Sequence, residues 1–242
     1  MLAIIGGSGL SQLPELSIHH RQVVRTPYGL PSSPLLFGQI GRLQIVFLAR
    51  HGFGHTLAPH EINYRANIWA LHHIGATEVI AVGAVFAFDP HWAPGSLVVP
   101  HDLLDYTWGR GHTFYEGEEQ SVVHTAFDPP YAEALRTQLL DAARDSATDI
   151  IDTAVYACLQ GPRFPTVAET VRLHRDGADV FGMTGMPEAI LARELNLPYA
   201  HLCGVIGHAP GQNQMAPQTH TASQDTRYVA IEHIRRLLST LA

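Results

Sequence analysis

Arg50, His51 and Gly52 stand directly behind an apolar run, residues 43–49. An arginine offers a planar fork of donors that suits an oxyanion, and a histidine beside it supplies one more. The run ahead of them is apolar without alternation, the pattern of a strand buried on both faces. Such a strand delivers its last residues to the rim of a sheet, where α/β proteins bind ligands. Two further polar stations arrive in the same way. Residues 2–5 run into Gly6-Gly7-Ser8-Gly9, and residues 179–182 run into Met183-Thr184-Gly185. Hydroxyls, backbone N–H groups and a cation at separate strand ends describe one phosphate-sized anion site built from distant segments. Singly, Gly-Gly-Ser-Gly reads as a turn and an Arg-His pair as surface; their coincidence favours a site.

The rest of the composition narrows the chemistry. All 15 basic residues are Arg, which removes Schiff-base catalysis and a P-loop lysine. An anion must therefore be held by Arg, His, hydroxyls and backbone. The 16 His raise the question of a metal. His19-His20 and His72-His73 are adjacent pairs, however, which point to different faces of an element, and no metal is expected. Cys158 and Cys203 have neither metal nor redox spacing, so a cytoplasmic thiol protein is expected. A net charge of −7 argues against a nucleic-acid partner. No run approaches the roughly 20 apolar residues of a membrane helix, and no basic segment precedes the first apolar stretch as in a signal peptide.

These stations need elements to carry them. Apolar, β-branched runs at 2–5, 43–48, 79–85, 96–99, 153–157 and 199–206 predict strands. Helical patterns fall at 62–74, about 130–144, from Thr166, from Pro187, and at about 224–241. Thr166-Val167-Ala168-Glu169 is a capping-box signature, and Pro187 with Glu188 suits a first helical turn. Strands alternating with helices imply an α/β domain with a largely parallel or mixed sheet. The chain, 242 residues with 46% hydrophobic content, reads as one domain, 1–242, without repeat or linker. Residues 207–223, polar and rich in Gly, Pro, Gln and His, read as a mobile loop.

Together these stretches resemble the trimeric purine nucleoside phosphorylase family, in its methylthioadenosine and S-methyl-5′-thioinosine phosphorylase branch. The matching residues are Ile4 to Leu10, Thr26-Pro27-Tyr28-Gly29, Ala49-Arg50-His51-Gly52 with His55, and Asn63-Tyr64-Arg65-Ala66-Asn67. Asp105-Tyr106-Thr107 with Arg110, Gln160-Gly161-Pro162-Arg163-Phe164, and Gly182 to Glu188 complete them. The resemblance implies a phosphorylase/hydrolase-like fold, its central mixed sheet partly closed into a barrel and flanked by helices. It implies attack of inorganic phosphate on the anomeric carbon of a nucleoside, release of the base, no cofactor beyond that co-substrate, and a cytoplasmic homotrimer in purine and methionine salvage. It assigns phosphate to Ser8, Arg50, His51, the Ala84 N–H and Thr184. It assigns the nucleoside to Met183, Phe164, position 207 and, from a neighbouring subunit, His124.

Against that pattern the chain departs in three places. Gly83 stands where the family has Thr or Asn, and Phe86 where a Gly lets backbone approach closely. Gly207 replaces the Asp or Asn that contacts the base and helps it take a proton, leaving His208 as the candidate donor. Pro165 replaces a frequent Ser or Thr. A 6-oxopurine nucleoside, S-methyl-5′-thioinosine above all, is favoured over methylthioadenosine. The alternatives are a catalytically weakened nucleoside- or anion-binding homologue on the same fold, which Phe86 favours, and a nucleosidase that uses water, which Arg50 disfavours.

Overall fold

The longest uninterrupted apolar runs form the middle of one sheet. In the computed structural model, which describes residues 1–7, 10, 16–116, 121–211 and 224–241, these are β1 (Leu2–Gly6), β4 (Leu43–Ala49), β5 (Glu78–Ala87) and β11 (Tyr199–His208). They pair in parallel, β4 with β1, β1 with β5, and β5 with β11. Both of their faces are covered, which is why their sequences do not alternate. The edges are made by β2 (Leu16–Gln22), β3 (Leu35–Ile40), β6 (Leu97–Val98), β7 (Asp102–Tyr106), β8 (Ile150–Ile151), β9 (Val155–Leu159) and β10 (Val180–Gly182). The order is β2-β3-β4-β1-β5-β10-β9-β7, with β11, β6 and β8 branching from β5. The sheet is mixed, with β10 antiparallel to β5. Among the described residues its pairing path ends at β2 and β7 rather than returning on itself, so the expected barrel closure is not shown.

Helices α1 (Tyr64–His73) and α4 (Gly185–Glu194) cover one face, burying Ile68, Leu71, Ala189 and Leu191 with Val79, Tyr199 and Cys203. Helices α2 (Glu133–Asp145) and α5 (Gln224–Thr240) cover the other, through Leu135, Leu139, Ile234 and Leu237. α3 (Val167–Arg175) starts at the expected capping box: Thr166 Oγ1 accepts from the Glu169 N–H, and Glu169 accepts from the Thr166 N–H. Two boundaries differ from the sequence reading. Pro187 does not open α4; it sits with Met186 in a non-helical break inside the first turn. β11 runs on through Gly207 and His208, which the sequence pattern assigns to a loop, and residues 212–223 of that stretch lie outside the described residues.

The feature that makes a site is in β5. One of its edges carries β11 from Val79 to Ala87. The other is shared: β1 takes residues 78–81, and β10 takes only Phe86 and Ala87. Among the described residues, 82–85 have no strand partner on that side, which leaves the peptide groups facing it to side chains or a ligand.

Candidate active site

A cavity of about 400 Å³ lies at this open stretch, within the size range of small-molecule sites. Val82, Gly83 and Ala84 form its floor; Gly7, Arg50, His51 and Thr184 stand around it. The Val82 carbonyl points to the open edge, where it accepts from Arg50. Peptide groups repeat every two residues along a strand, so the Ala84 N–H points there too. Ser8 lies outside the described residues, between Gly7 and Leu10, which both line the cavity.

Arg50 is not the open fork that its sequence context suggested. Its Nε–H and Nη2–H clasp the Glu188 carboxylate at 2.8 and 3.1 Å, Nη1 donates to the Val82 carbonyl at 2.6 Å, and Nη2 to the Ile5 carbonyl at 3.3 Å. Glu188, fully buried, also accepts from the Tyr199 hydroxyl. The reason is burial. Arg50 is 1% exposed, and an unpaired guanidinium there would cost several kcal/mol. Burial opposes its charge, yet the Glu188 carboxylate holds its pKa above the usual value. Of five N–H donors, one on Nη1 has no partner among the described residues.

His51 reverses its expected role as a donor. Its Nδ1 lies 2.8 Å from the Leu57 carbonyl, which can only accept, so Nδ1 carries the proton. Burial, with Arg50 and His55 adding to it, pushes its pKa down to about 4. The ring is therefore neutral at pH 7 and Nε2 presents a lone pair. His55 packs on it at 4.3 Å.

Thr184 keeps its hydroxyl for the cavity. It is the N-cap of α4 but makes no side-chain cap bond. The N–H groups of Thr184 and Gly185 go instead to the Tyr156 hydroxyl, and that of Met186 to Cys158 Sγ. Arg110 ties the same turn to β9, donating to the carbonyls of Met183, Met186, Leu159 and Gln160. Met183, half-buried, lines the cavity beside it.

The far wall is apolar. Phe86 stacks on Phe181 with centroids 5.2 Å apart, and meets Phe164 edge-on at 5.2 Å. Ile206, Leu10 and the α5 residues Ala230, Ile231 and Ile234 continue it. Here the departures resolve into matched pairs. A Cβ on Gly207 would stand 3.0 Å from the Phe86 ring, so Phe86 holds the space that a side chain at 207 would take. A Cβ on Gly83 would stand 2.6 Å from His201 Nε2, so that imidazole likewise fills the room left by a side chain at 83. His201 is fully buried, neither ring nitrogen has a partner among the described residues, and burial, with Arg50 adding to it, pushes its pKa down to about 3.

Arg50, His51, Ala84, Thr184, Met183 and Phe164 thus meet at one cavity. His208 does not join them: it pairs with Ala87 beyond a bulge, and its Nε2 is buried without a partner, outside the cavity lining. His124 is exposed and also away from it. Sequence reading missed Glu188's partnership and Arg227. Arg227 is exposed, lines the cavity, and helps depress the pKa of His55, after burial. A signal for it existed: residues 227, 230, 231 and 234 share one helical face, with an arginine heading an apolar stripe.

A sheet whose central strand opens between two neighbours, with hydroxyl, arginine, imidazole and peptide groups at the opening, defines an α/β protein with a polar cavity at a strand end. The chain belongs to the Phosphorylase superfamily, which it matches over residues 1–242. It is 51% identical over 211 residues to a probable S-methyl-5′-thioinosine phosphorylase of Pseudomonas syringae pv. tomato, covering 87% of this chain and 86% of that one. It is 43% identical to a 6-oxopurine nucleoside phosphorylase of Pyrococcus furiosus, covering 88% and 81%. A solved methylthioadenosine phosphorylase from Schistosoma mansoni, in complex with adenine, superposes with a TM-score of 0.93 at 31% identity, covering 99% and 90%.

Proposed function

We propose that this chain cleaves a purine nucleoside with inorganic phosphate, giving free base and a pentose 1-phosphate. The observation that carries the reading is the meeting of the Thr184 hydroxyl, the Ala84 N–H, the remaining Arg50 N–H and His51 at the unpaired stretch of β5. A phosphate oxygen held there sits at one end of a cavity whose other end is aromatic, the arrangement needed to attack an anomeric carbon and stabilise its oxocarbenium-like transition state. His51 Nε2 accepts a hydrogen bond from the P–OH of hydrogenphosphate and takes no proton from it, since burial disfavours the charged ring and its one N–H, on Nδ1, is held by the Leu57 carbonyl. Leu10, Ala230, Ile231 and Ile234 suit an apolar 5′ substituent such as methylthio, and the named relatives support a 6-oxopurine base, hence S-methyl-5′-thioinosine. Phosphate is the co-substrate, and no cofactor enters. The working form is a cytoplasmic homotrimer, with the exposed Val122, Val123 and His124 at a subunit contact.

Base release from S-methyl-5′-thioinosine should require inorganic phosphate. Thr184→Val should raise the phosphate KM roughly tenfold, as loss of one hydrogen bond to an anion does, without shifting the melting temperature, because the hydroxyl caps nothing. Release in phosphate-free buffer would replace phosphorolysis by hydrolysis. No release at all would favour the second reading, a nucleoside- or anion-binding homologue, for which the Phe86 ring in the cavity speaks.

A further inference from the structure

We infer that this site selects nucleosides whose 5′ arm is a thioether ending in a carboxylate, with Arg227 as the residue that recognises the charge. The inference deepens the phosphorolytic reading and rests on it. α5 is seated tightly on the sheet. Gly204 in β11 has no side chain, and a Cβ there would stand 2.9 Å from the Ala230 Cβ, so the helix lies directly on the strand. The Thr226 hydroxyl donates to the Ile206 carbonyl and fixes the first turn, and His233 Nδ1 bonds the Gly95 carbonyl. Held so closely, α5 presents residues 227, 230, 231 and 234 to the cavity. At a rise of roughly 1.5 Å per residue, Arg227 stands one turn beyond Ala230 and Ile231, and about 10 Å along the axis from Ile234.

The order along that face sets the chemistry of the arm. Leu10, Ala230 and Ile234 are buried, Ile231 is half-buried, and Arg227 is exposed at the rim. A charge borne directly on C5′ would lie among the apolar side chains and lose its water without a partner. A charge carried on a short methylene stem clears them and meets the Arg227 fork. That fork is open: among the described residues no carboxylate pairs with Arg227. Across the rim, burial first and Arg227 second lower the pKa of His55. His55 is therefore neutral at pH 7 and adds an N–H rather than a second charge. The sign of the arm follows from what the wall lacks. Among the described residues no Asp or Glu lines the cavity. An ammonium would find no counter-charge there, which favours a plain carboxylate over an amino-acid arm. The chemistry at C1′ is that of the phosphorolytic reading, unchanged.

The experiment measures kcat/KM in phosphate for four inosine derivatives that differ only at the 5′ position. They carry methylthio, 2-carboxyethylthio, its neutral 2-carboxamidoethylthio isostere, and 5′-phosphate. The expected result is a preference for the carboxylate over the amide of roughly fivefold, the scale of a charge-assisted contact at a wet rim. The preference should shrink as NaCl is raised to about 0.5 M, and the 5′-phosphate should be the poorest of the four. Arg227→Met should bring the carboxylate-to-amide ratio to about one, and Arg227→Lys should keep most of it, because any general loss in a variant cancels in the ratio. Three results each overturn the inference: carboxylate and amide cleaved alike by the wild type, a ratio that survives Arg227→Met, or a 5′-phosphate cleaved as fast as the carboxylate. Phosphate-dependent cleavage of the methylthio derivative would then leave phosphorolysis standing. No phosphate-dependent cleavage of any derivative overturns both. The ratio and its salt dependence are read on the wild type, so the outcome holds even where a variant fails to fold.

Discussion

The two ends of the cavity have been built by opposite means. At the polar end the groups are fixed by partners behind them: Glu188 behind Arg50, the Leu57 carbonyl behind His51, Tyr156 behind the Thr184 turn. At the aromatic end, position is set by packing, with Phe86 against Gly207, Phe164 and Phe181. A group held by hydrogen bonds fails when its partner is removed, leaving a buried charge or dipole unmet. A group held by volume fails when something is added. The two ends should therefore respond to different kinds of substitution.

The largest expected effect is at the polar end. Glu188→Gln leaves the Arg50 guanidinium buried without a counter-charge and should cost about 3–5 kcal/mol of stability. The double change Arg50→Met/Glu188→Leu should recover most of it. Urea unfolding of the three proteins checks this, and equal losses in single and double variants would mean that the pair is not coupled. The aromatic end should show the reverse. Gly207→Asn on its own overpacks against the Phe86 ring and should cost about 1–3 kcal/mol, and adding Phe86→Gly should restore stability rather than lower it further. Additive losses would break the pairing. The mildest contrast appears only in acid. His51 and His201 titrate in the fold at about 4 and about 3, below the ordinary value of 6.5. Folding favours their neutral forms, so their stabilisation is complete above pH 6.5 and is lost as pH falls through the window towards 3. His201→Met should leave stability at pH 7 little changed and flatten that acid limb, measured by melting temperature against pH.

The central strands were legible in sequence because burial on both faces leaves an unbroken apolar run. β2, with Ser17, Ile18, His19 and His20 exposed, and β7, with Asp102 and Asp105 exposed, were not, because an edge strand with a wet face has no such run. The polar end of the cavity was legible as residue types, Arg50, His51 and Thr184, but not as bonding. Whether a guanidinium faces a ligand or a carboxylate 138 positions away is decided only in three dimensions. The same limit applies to Gly83 and Gly207, which in sequence read as losses. Only the packed structure reveals the imidazole and the phenyl ring that fill the space.

The close approach of Gly207 to Phe86 also favours an order of events. A Cβ at 207 would stand 3.0 Å from the ring, so the ring must shift or shrink to accept it. A chain moving between the two arrangements by single substitutions therefore loses least by passing through a state in which both positions are small. That intermediate has a larger cavity than either end state. Between 83 and 201 the approach is tighter, 2.6 Å, and the same order holds more strongly. Selection for a polar side chain at 207 should begin from a form with a small residue at 86, where the new side chain meets no ring.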